Sequence, residues 1–141
     1  MPPHRPRLYH VLQLAAQRMR KHADEIGIDT AGVSAAQGGA MFVIEANPGI
    51  SQRDLARALG QQESAVTTMI SRLMAADLVS RSPRDNDPRI WALELTGNGK
   101  SALAKLRIEL DRINRRIDSV LTPEERATLA EALRRVAQIE W

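Results

Sequence analysis

Residues 81–96 read RSPRDNDPRIWALELT and combine a charged, proline-containing segment with alternating apolar residues. Residues 78–81 and 90–95 have the composition of two strands. A proline cannot donate to a strand ladder, so residues 83–88 are expected to form a turn-rich tip and no strand. Alternation in the second strand places three side chains on one face as the expected anchor into the core: Trp91, Leu93 and Leu95. The stretch therefore predicts a β-hairpin with a charged tip.

Two short helices are predicted immediately before this hairpin. The first covers residues 51–58 within the sequence SQRDLARAL (51–59) and is ended by Gly60, and the second covers residues 62–76. Two helices joined by a short glycine-containing turn and followed by a hairpin form the winged helix-turn-helix order. A helix fits the major groove of DNA, and a thin hairpin can reach the adjacent minor groove.

The exposed positions of the second helix carry short hydroxyl and amide groups, which can hydrogen-bond base edges and phosphates. The candidate contacts on the two helices are Arg53, Gln62, Ser64, Thr67, Thr68, Ser71 and Arg72. An ordinary solvated polar face is the alternative interpretation, although such a face more often carries pairs of glutamate and lysine.

Two further helices are expected before this pair and two after the hairpin. The apolar stripe from Leu8 to Ile26 predicts a first helix that ends near Gly27, and the NPG sequence at residues 47–49 ends the second. After the hairpin, Thr96 caps a long helix whose apolar residues form a heptad seam. The seam consists of Leu103, Leu106, Leu110, Ile113, Ile117 and Val120. Such a seam can pack against a partner chain or within one chain.

Three helix starts have capping-box spacing, in which a hydroxyl is followed three residues later by a side chain that can reach back. These starts are Ser34 with Gln37, Ser51 with Asp54, and Thr122 with Glu125. Pro123 adds a preferred first helical residue to the last of them. The final helix then carries an apolar stripe of Leu129, Leu133, Val136 and Ile139.

Composition excludes several classes of function. Of the 141 residues, 43% are apolar and 26% charged, as in an ordinary soluble domain, and the absence of cysteine excludes disulfides and thiolate metal sites. The sequence shows no nucleophile–base pair or glycine-rich phosphate loop, and His4, His10 and His22 make no metal triad. We therefore expect no enzyme, no metal and no cofactor. No apolar run is long enough to span a membrane, so a cytoplasmic location is expected.

The charge balance weakly favours a polyanionic partner. The formal net charge is +3, and only three of the 20 basic residues are lysine. Arginine suits the recognition of phosphates and base edges, but a GC-rich genome would produce the same bias. The first seven residues, MPPHRPR, are expected to form a flexible basic arm.

The chain resembles the MarR family of bacterial transcription regulators. The resemblance is carried by ISQRDLARALG, ESAVTTMISRLMAADLVSR, the wing RSPRDNDPR and the closing LELTGNGK. It implies a mainly α fold with a small β-hairpin wing: a flexible arm over residues 1–7, followed by a single domain over residues 8–141. Within that domain, residues 34–96 form the winged helix-turn-helix, and residues 8–33 and 97–141 form dimerisation helices.

The resemblance also implies a function. The protein is expected to be a sequence-specific transcriptional regulator, a repressor that binds a pseudo-palindromic operator in double-stranded DNA as a homodimer. Arg89 would enter the minor groove with its guanidinium held by Asp87, while Arg81 and Arg84 would lie over phosphates. The expected dimer interface consists of Leu8, Leu12, Leu110, Ile113, Ile117, Leu129, Leu133 and Val136. The alternative is a winged-helix protein-interaction module without specific DNA binding.

Two glycines in the second helix, Gly38 and Gly39, are unusual, since each costs roughly 1 kcal/mol relative to alanine. Close approach of another helix would explain them. A second hypothesis is that they leave space for a small aromatic or phenolic effector, as the resemblance implies. The remaining residues of that candidate pocket are Tyr9, Met19, Met41 and Phe42.

Two positions depart from the usual pattern of the family. Gln61 stands where the helix-turn-helix commonly has an apolar residue, so the turn is expected to be loose or differently packed. Asp77 stands where a glycine is common at the end of the fourth helix. Aspartate tolerates the left-handed conformation at some cost, so we expect the turn to form.

Overall fold

The computed structural model describes residues 7–141, which form six α-helices and one two-stranded antiparallel sheet. The elements, in chain order, are α1 (Leu8–Ala31), α2 (Ala35–Ala46), α3 (Gln52–Leu59), α4 (Glu63–Ala75), β1 (Val79–Arg84), β2 (Asp87–Leu95), α5 (Gly97–Asp118) and α6 (Pro123–Ala137). The mainly α fold with a hairpin between the fourth and fifth helices is therefore confirmed. The predicted basic arm lies outside the described residues except for Arg7, which precedes α1.

The predicted helix starts are formed by local hydrogen bonds. At α2, Ser34 Oγ accepts from the Gln37 amide at 3.2 Å and Gln37 Oε1 accepts from the Ser34 amide at 2.9 Å. The same reciprocal pair joins Thr122 and Glu125 at α6. At α3 only half of the expected capping box forms. Ser51 Oγ accepts from the backbone amide of Asp54, but the Asp54 carboxylate lies 3.7 Å from Arg57 and does not accept from the Ser51 amide.

Helix α1 does not end near Gly27 as predicted. It continues to Ala31 and is ended by Gly32, whose φ of +70° gives the left-handed conformation that glycine favours. Gly27 is buried inside the helix, and a Cβ there would lie 2.4 Å from the carbonyl oxygen of Val33. The glycine is therefore needed for a close approach of two backbone segments, which a sequence pattern does not distinguish from a helix end.

The strands are longer than predicted, and the expectation that residues 83–88 form no strand was wrong. Pro83 lies in β1 opposite Trp91, and Pro88 lies in β2. Prolines are tolerated because each strand of a two-stranded ribbon has an edge that needs no donor. The register shifts between Pro83, which pairs with Trp91, and Arg84, which pairs with Asp87, so residues 88–90 form a bulge in β2.

Of the three predicted anchors of the hairpin, two are correct. Leu93 is fully buried and Leu95 packs against the core, but Trp91 is 42% exposed. Trp91 lies two residues, or about 7 Å, closer to the tip of the hairpin than Leu93. Its ring is instead covered by the guanidinium of Arg81, 4.7 Å from the ring centroid.

Arg107 is the last residue of the first of two compact units. The core of this unit consists of apolar side chains from α2, α3, α4, the hairpin and the first turns of α5, together with Val33 between α1 and α2. Its largest fully buried members are Val33, Met41, Ile44, Leu55, Val66, Ile70, Leu73, Leu93 and Leu103. Because Leu103 and Leu106 are both buried here, the first two positions of the predicted heptad seam pack within their own chain.

The LT-x-x-G sequence joins the hairpin to α5. Thr96 Oγ1 accepts from the Gly99 amide at 2.9 Å and donates to the carbonyl of Asp77 at 2.6 Å, while the Thr96 amide donates to the Leu78 carbonyl at 3.1 Å. Asp77 has a φ of 57°, so the predicted left-handed aspartate is confirmed, and its carboxylate accepts from Asn98 at 2.8 Å. Strand, turn and helix are thus tied at one point.

The second compact unit is Ile108–Trp141, which contains the later part of α5 and all of α6. Its two helices are joined by an ion pair between Asp118 and Arg126 at 3.1 Å. No residue of α6 is buried. Large apolar side chains exposed in this unit are Ile108, Leu110, Val120, Leu129, Leu133, Val136, Ile139 and Trp141.

No helix within residues 7–141 combines the length and apolarity that crossing a lipid bilayer requires.

Candidate nucleic-acid interface

The turn between α3 and α4 is closed by backbone hydrogen bonds. Gly60 adopts a φ of +63°, its amide donates to Arg57, and the amide of Gln61 donates to Ala56 at 3.0 Å. Gln61 itself is exposed. The polar residue at this position therefore leaves the turn hydrogen-bonded, and the expected loosening is not seen.

The polar side chains expected on α4 all lie on its exposed surface, including Gln62 before it and Arg72 in its last turn. Three hydroxyls donate to carbonyls one turn earlier: Thr67 to Glu63 at 3.0 Å, Thr68 to Ser64 at 3.3 Å, and Ser71 to Thr67 at 3.0 Å. A hydroxyl that donates in this way keeps its acceptor lone pairs. These three hydroxyls therefore present oriented acceptors to solvent. Each can also rotate to donate its hydrogen bond to a phosphate oxygen or a base edge instead of a carbonyl.

Gln52 is a candidate site residue that sequence reasoning missed. Its Oε1 lies 3.3 Å from Thr67 Oγ1, which joins the first turn of α3 to the exposed face of α4. A hydroxyl has one proton, so the carbonyl of Glu63 and the amide of Gln52 compete for it. The contact depends on how two helices pack across 15 residues of sequence, and no local pattern indicates it.

Asp87 and Arg89 form the ion pair that the sequence predicts. Arg89 Nε lies 3.1 Å from Asp87 Oδ1, Nη2 lies 3.4 Å from Oδ2, and the Arg89 backbone amide also donates to Oδ1 at 3.1 Å. Side-chain and then backbone hydrogen bonds from Arg89 hold the pKa of the Asp87 carboxyl below the usual range of an aspartate. The Arg89 side chain is 90% exposed and lies in the bulge of β2, so it remains free to touch another molecule.

The other two wing arginines are placed differently from each other. Arg81 is exposed and stacks on Trp91, which leaves the edge of its guanidinium open to a phosphate. Arg84 is half-buried, and its Nη2 donates to the carbonyl of Gly49 at 3.0 Å. The position expected for Arg84, over phosphates, would require this bond to break.

An open cleft of about 270 Å³ brings parts of three elements together. It is lined by Ser51, Gln52, Arg53, Glu63, Arg89, Ile90 and Trp91, from the starts of α3 and α4 and the outer part of β2. Two exposed arginines, Arg53 and Arg89, therefore face the same opening as the Gln52 amide. Glu63 is the one acidic residue in this lining.

The six candidate effector-pocket residues differ in how far they are exposed. Met41 has no accessible surface, whereas Tyr9 is 76% exposed and Met19 44% exposed on α1. Phe42 is half-buried and is covered by Arg107, which also pairs with Glu45. The two glycines differ, because a Cβ on Gly38 would lie 3.3 Å from Leu106 and one on Gly39 would meet open space. Close helix approach therefore explains Gly38 and leaves Gly39 without a packing reason.

Within residues 7–141 there is no group of three or more histidine, aspartate or glutamate side chains arranged to hold a metal ion. The cleft instead offers cations, amides and hydroxyls. These groups suit an anionic partner with polar edges.

Comparisons with known proteins show which proteins the chain resembles in sequence and fold. The model of the MarR family matches residues 31–90. A protein of Thauera aromatica named as a transcriptional regulatory protein for the hcr operon is 32% identical over 107 residues, which are 76% of this chain and 64% of that protein. The helix-turn-helix type transcriptional regulator YdgJ of Bacillus subtilis is 30% identical over 87 residues, 62% of this chain and 53% of that protein. The matched regions thus span less than two thirds of either relative.

A solved structure gives the corresponding likeness in three dimensions. A mutant MarR from E. coli, complexed with operator DNA, superimposes with a TM-score of 0.85 at 25% identity, covering 92% of each chain. The fold of this chain is therefore that of winged-helix MarR proteins.

Proposed function

Because this chain belongs to the MarR family, we propose that it is a transcriptional regulator that binds operator DNA sequence-specifically through α4 and the wing, residues 79–95. The observation that carries the proposal is the cleft in which Arg53, Gln52 and Arg89 converge beside α4. The exposed side of α4 would lie in the major groove, and the wing would follow the backbone to the adjacent minor groove.

Arg89 is the residue proposed to enter the minor groove. Its pairing with Asp87 restricts the guanidinium before binding, which lowers the conformational entropy lost when the contact forms. Residues 51–100 contain seven basic and six acidic residues, so their net charge contributes little to DNA affinity. The affinity must therefore come from the positions of the individual basic side chains. Asp85 and Glu63 would then disfavour non-specific contacts, since misplaced DNA would bring its phosphates close to them.

We propose further that the protein acts as a homodimeric repressor. Apolar side chains on α1 and α6 are exposed in the single chain, among them Leu8, Val11, Leu129, Leu133 and Val136. Monomeric proteins rarely leave such stripes in water, and a two-fold partner would cover them. A two-fold dimer places its α4 helices about 34 Å apart, so the operator would be a pseudo-palindrome read from one face of the duplex.

A small aromatic or phenolic effector remains part of the proposal. Gly39 is supported as a place with free space, whereas Met41 would have to become accessible before it could touch a ligand. A ligand that prefers one separation of the α4 helices would shift the protein between two states and so release the operator. A thermal unfolding midpoint unchanged across a panel of aromatic acids would argue against an effector of this class.

The test of DNA binding compares two arginine variants on DNA taken from upstream of the gene. Arg89→Ala should weaken operator binding by about 1–3 kcal/mol, whereas Arg134→Ala, an equally simple removal of charge on α6, should leave it unchanged. Binding of the unmodified protein should also fall steeply with salt, because bound phosphates release counterions. Equal affinity of the Arg89→Ala variant and the unmodified protein would refute the wing contact, and weak dependence on salt would favour a protein-interaction module.

A further inference from the structure

Arg84 connects the wing to the loop between α2 and α3. Its Nη2 donates to the carbonyl oxygen of Gly49 at 3.0 Å, across 35 residues of sequence. The same loop also pairs with the other strand of the wing: the Gly49 amide donates to Leu93 at 2.8 Å, and the Leu93 amide donates to Ile50 at 2.9 Å. The loop therefore holds β1 through a side chain and β2 through its backbone.

The loop that accepts this bond has a fixed shape. Asn47-Pro48-Gly49-Ile50 forms a turn in which the Ile50 amide donates to the Asn47 carbonyl at 3.0 Å. The φ of +86° at Gly49 is the positive value that the third position of a type II turn requires, and proline is common at the second position of such a turn. The Gly49 carbonyl is thus held in one direction, which makes it a defined acceptor for a guanidinium.

Arg84 also lies next to the residue proposed to contact DNA. It pairs in register with Asp87, and the bulge that follows carries Arg89. Asp87 in turn accepts the hydrogen bonds of Arg89. A continuous series of contacts therefore runs from the Gly49 carbonyl through Arg84 and Asp87 to Arg89.

We propose that Arg84 is a positioning residue, which sets the place of the Asp87–Arg89 pair relative to α4 and does not itself bind a phosphate. A half-buried guanidinium that already donates to a fixed carbonyl would lose this bond on turning towards DNA, and the carbonyl would lose a partner. The inference rests on the proposed function, because its consequence is measured as operator binding.

The experiment uses four variants of the full chain: Arg84→Met, Arg84→Lys, Arg89→Ala and the double variant Arg84→Met/Arg89→Ala. Methionine keeps an unbranched stem without donors, whereas lysine keeps the charge and one donating group. Operator affinity is measured by fluorescence anisotropy at several salt concentrations. Arg84→Met should weaken binding about three- to tenfold, no more than Arg89→Ala, and Arg84→Lys should restore most of the loss.

Two readouts distinguish positioning from phosphate binding and from general destabilisation. Loss of one phosphate contact lowers the slope of log affinity against log salt by about 0.9, so its loss from both subunits of the proposed dimer lowers the slope by about 1.8. We expect the slope of Arg84→Met to equal that of the unmodified protein. The double variant should bind no more weakly than Arg89→Ala alone, because a misplaced wing costs nothing once Arg89 is absent. A lowered slope, or additive effects of the two substitutions, would overturn the proposal.

A measurement without DNA separates this inference from the proposed function. In Arg84→Met, the amides of Gly49 and Leu93 should exchange their hydrogens faster than in the unmodified protein, while amides in α6 should keep their rates. Unchanged exchange at Gly49 and Leu93 would show that Arg84 does not hold the wing. Absence of any DNA binding by the unmodified protein would instead refute the proposed function and leave the exchange result to decide whether Arg84 restrains the wing.

Discussion

Replacing Gly99 by alanine should separate the hairpin from the start of α5. An added Cβ would lie 2.1 Å from the carbonyl oxygen of Leu78 and 3.4 Å from Leu95 Cβ. The Leu78 oxygen is a backbone atom, and it also accepts the amide hydrogen of Thr96. It cannot move away without lengthening that bond, so the helix start must shift by about 1 Å to restore an ordinary contact.

The expected cost follows from three contributions. Overpacking costs about 1–3 kcal/mol, and losing the hydrogen bond between Thr96 and Leu78 costs about 1 kcal/mol. Alanine returns about 1 kcal/mol, because glycine is the poorer helix former. Gly99→Ala should therefore lower the free energy of unfolding by about 1–3 kcal/mol, which in a chain of this size lowers the thermal midpoint by roughly 3–10 °C.

The matched control is Gly97→Ala, two residues earlier, where an added Cβ meets open space. This variant should be neutral or up to about 1 kcal/mol more stable than the unmodified protein. Both are measured by urea unfolding at one protein concentration, because association changes apparent stability. If Gly99→Ala proves as stable as Gly97→Ala, the close approach to Leu78 is not a constraint and the explanation of the LT-x-x-G sequence is wrong.

Three further substitutions or titrations test other parts of the structure. Asp24→Ala should cost about 1–2 kcal/mol of unfolding free energy in urea, because its carboxylate on α1 accepts the Ala35 amide of α2 at 2.7 Å; an unchanged midpoint would show that this cap contributes nothing. Gly39→Ala should stabilise the protein by about 1 kcal/mol in the same assay, whereas a destabilised variant would show that the space beside this residue is filled. Asp87 has a lowered pKa, so its pairing with Arg89 is complete above the ordinary aspartate range and is lost as the pH falls. By NMR, the titration midpoint of Asp87 should rise in Arg89→Ala, and an identical midpoint in both proteins would exclude the pair in solution.

Local signals in the sequence predicted most of the element order. Capping residues such as Ser34 and Thr122 act within three residues of themselves, so their hydrogen bonds could be expected without knowledge of the fold. The turn at Gly60 and the left-handed Asp77 are local in the same sense. The Asp87–Arg89 pair is expected from the resemblance to the MarR family, whose Asp-x-Arg motif falls on these residues, and its partners are only two residues apart.

Features that depend on distant packing could not be predicted in this way. The partner of Arg84 is 35 residues away, and the contact between Gln52 and Thr67 requires two helices to be placed first. Trp91 satisfies the alternation of a buried face, but it lies toward the tip of the hairpin and is 42% exposed. Alternation indicates which side of a strand a residue occupies, whereas burial depends on whether another element lies opposite that side.

The prolines in the wing also bear on how this protein behaves at high concentration. A two-stranded ribbon offers strand edges to which a second molecule could add a strand, the first step of sheet-type aggregation. Pro83 and Pro88 lie within these strands and lack the N–H that such addition needs. A foreign strand would therefore find donors missing on both β1 and β2. Pro83 and Pro88 therefore leave the wing extended and exposed for binding, and they also make it a poor template for self-association.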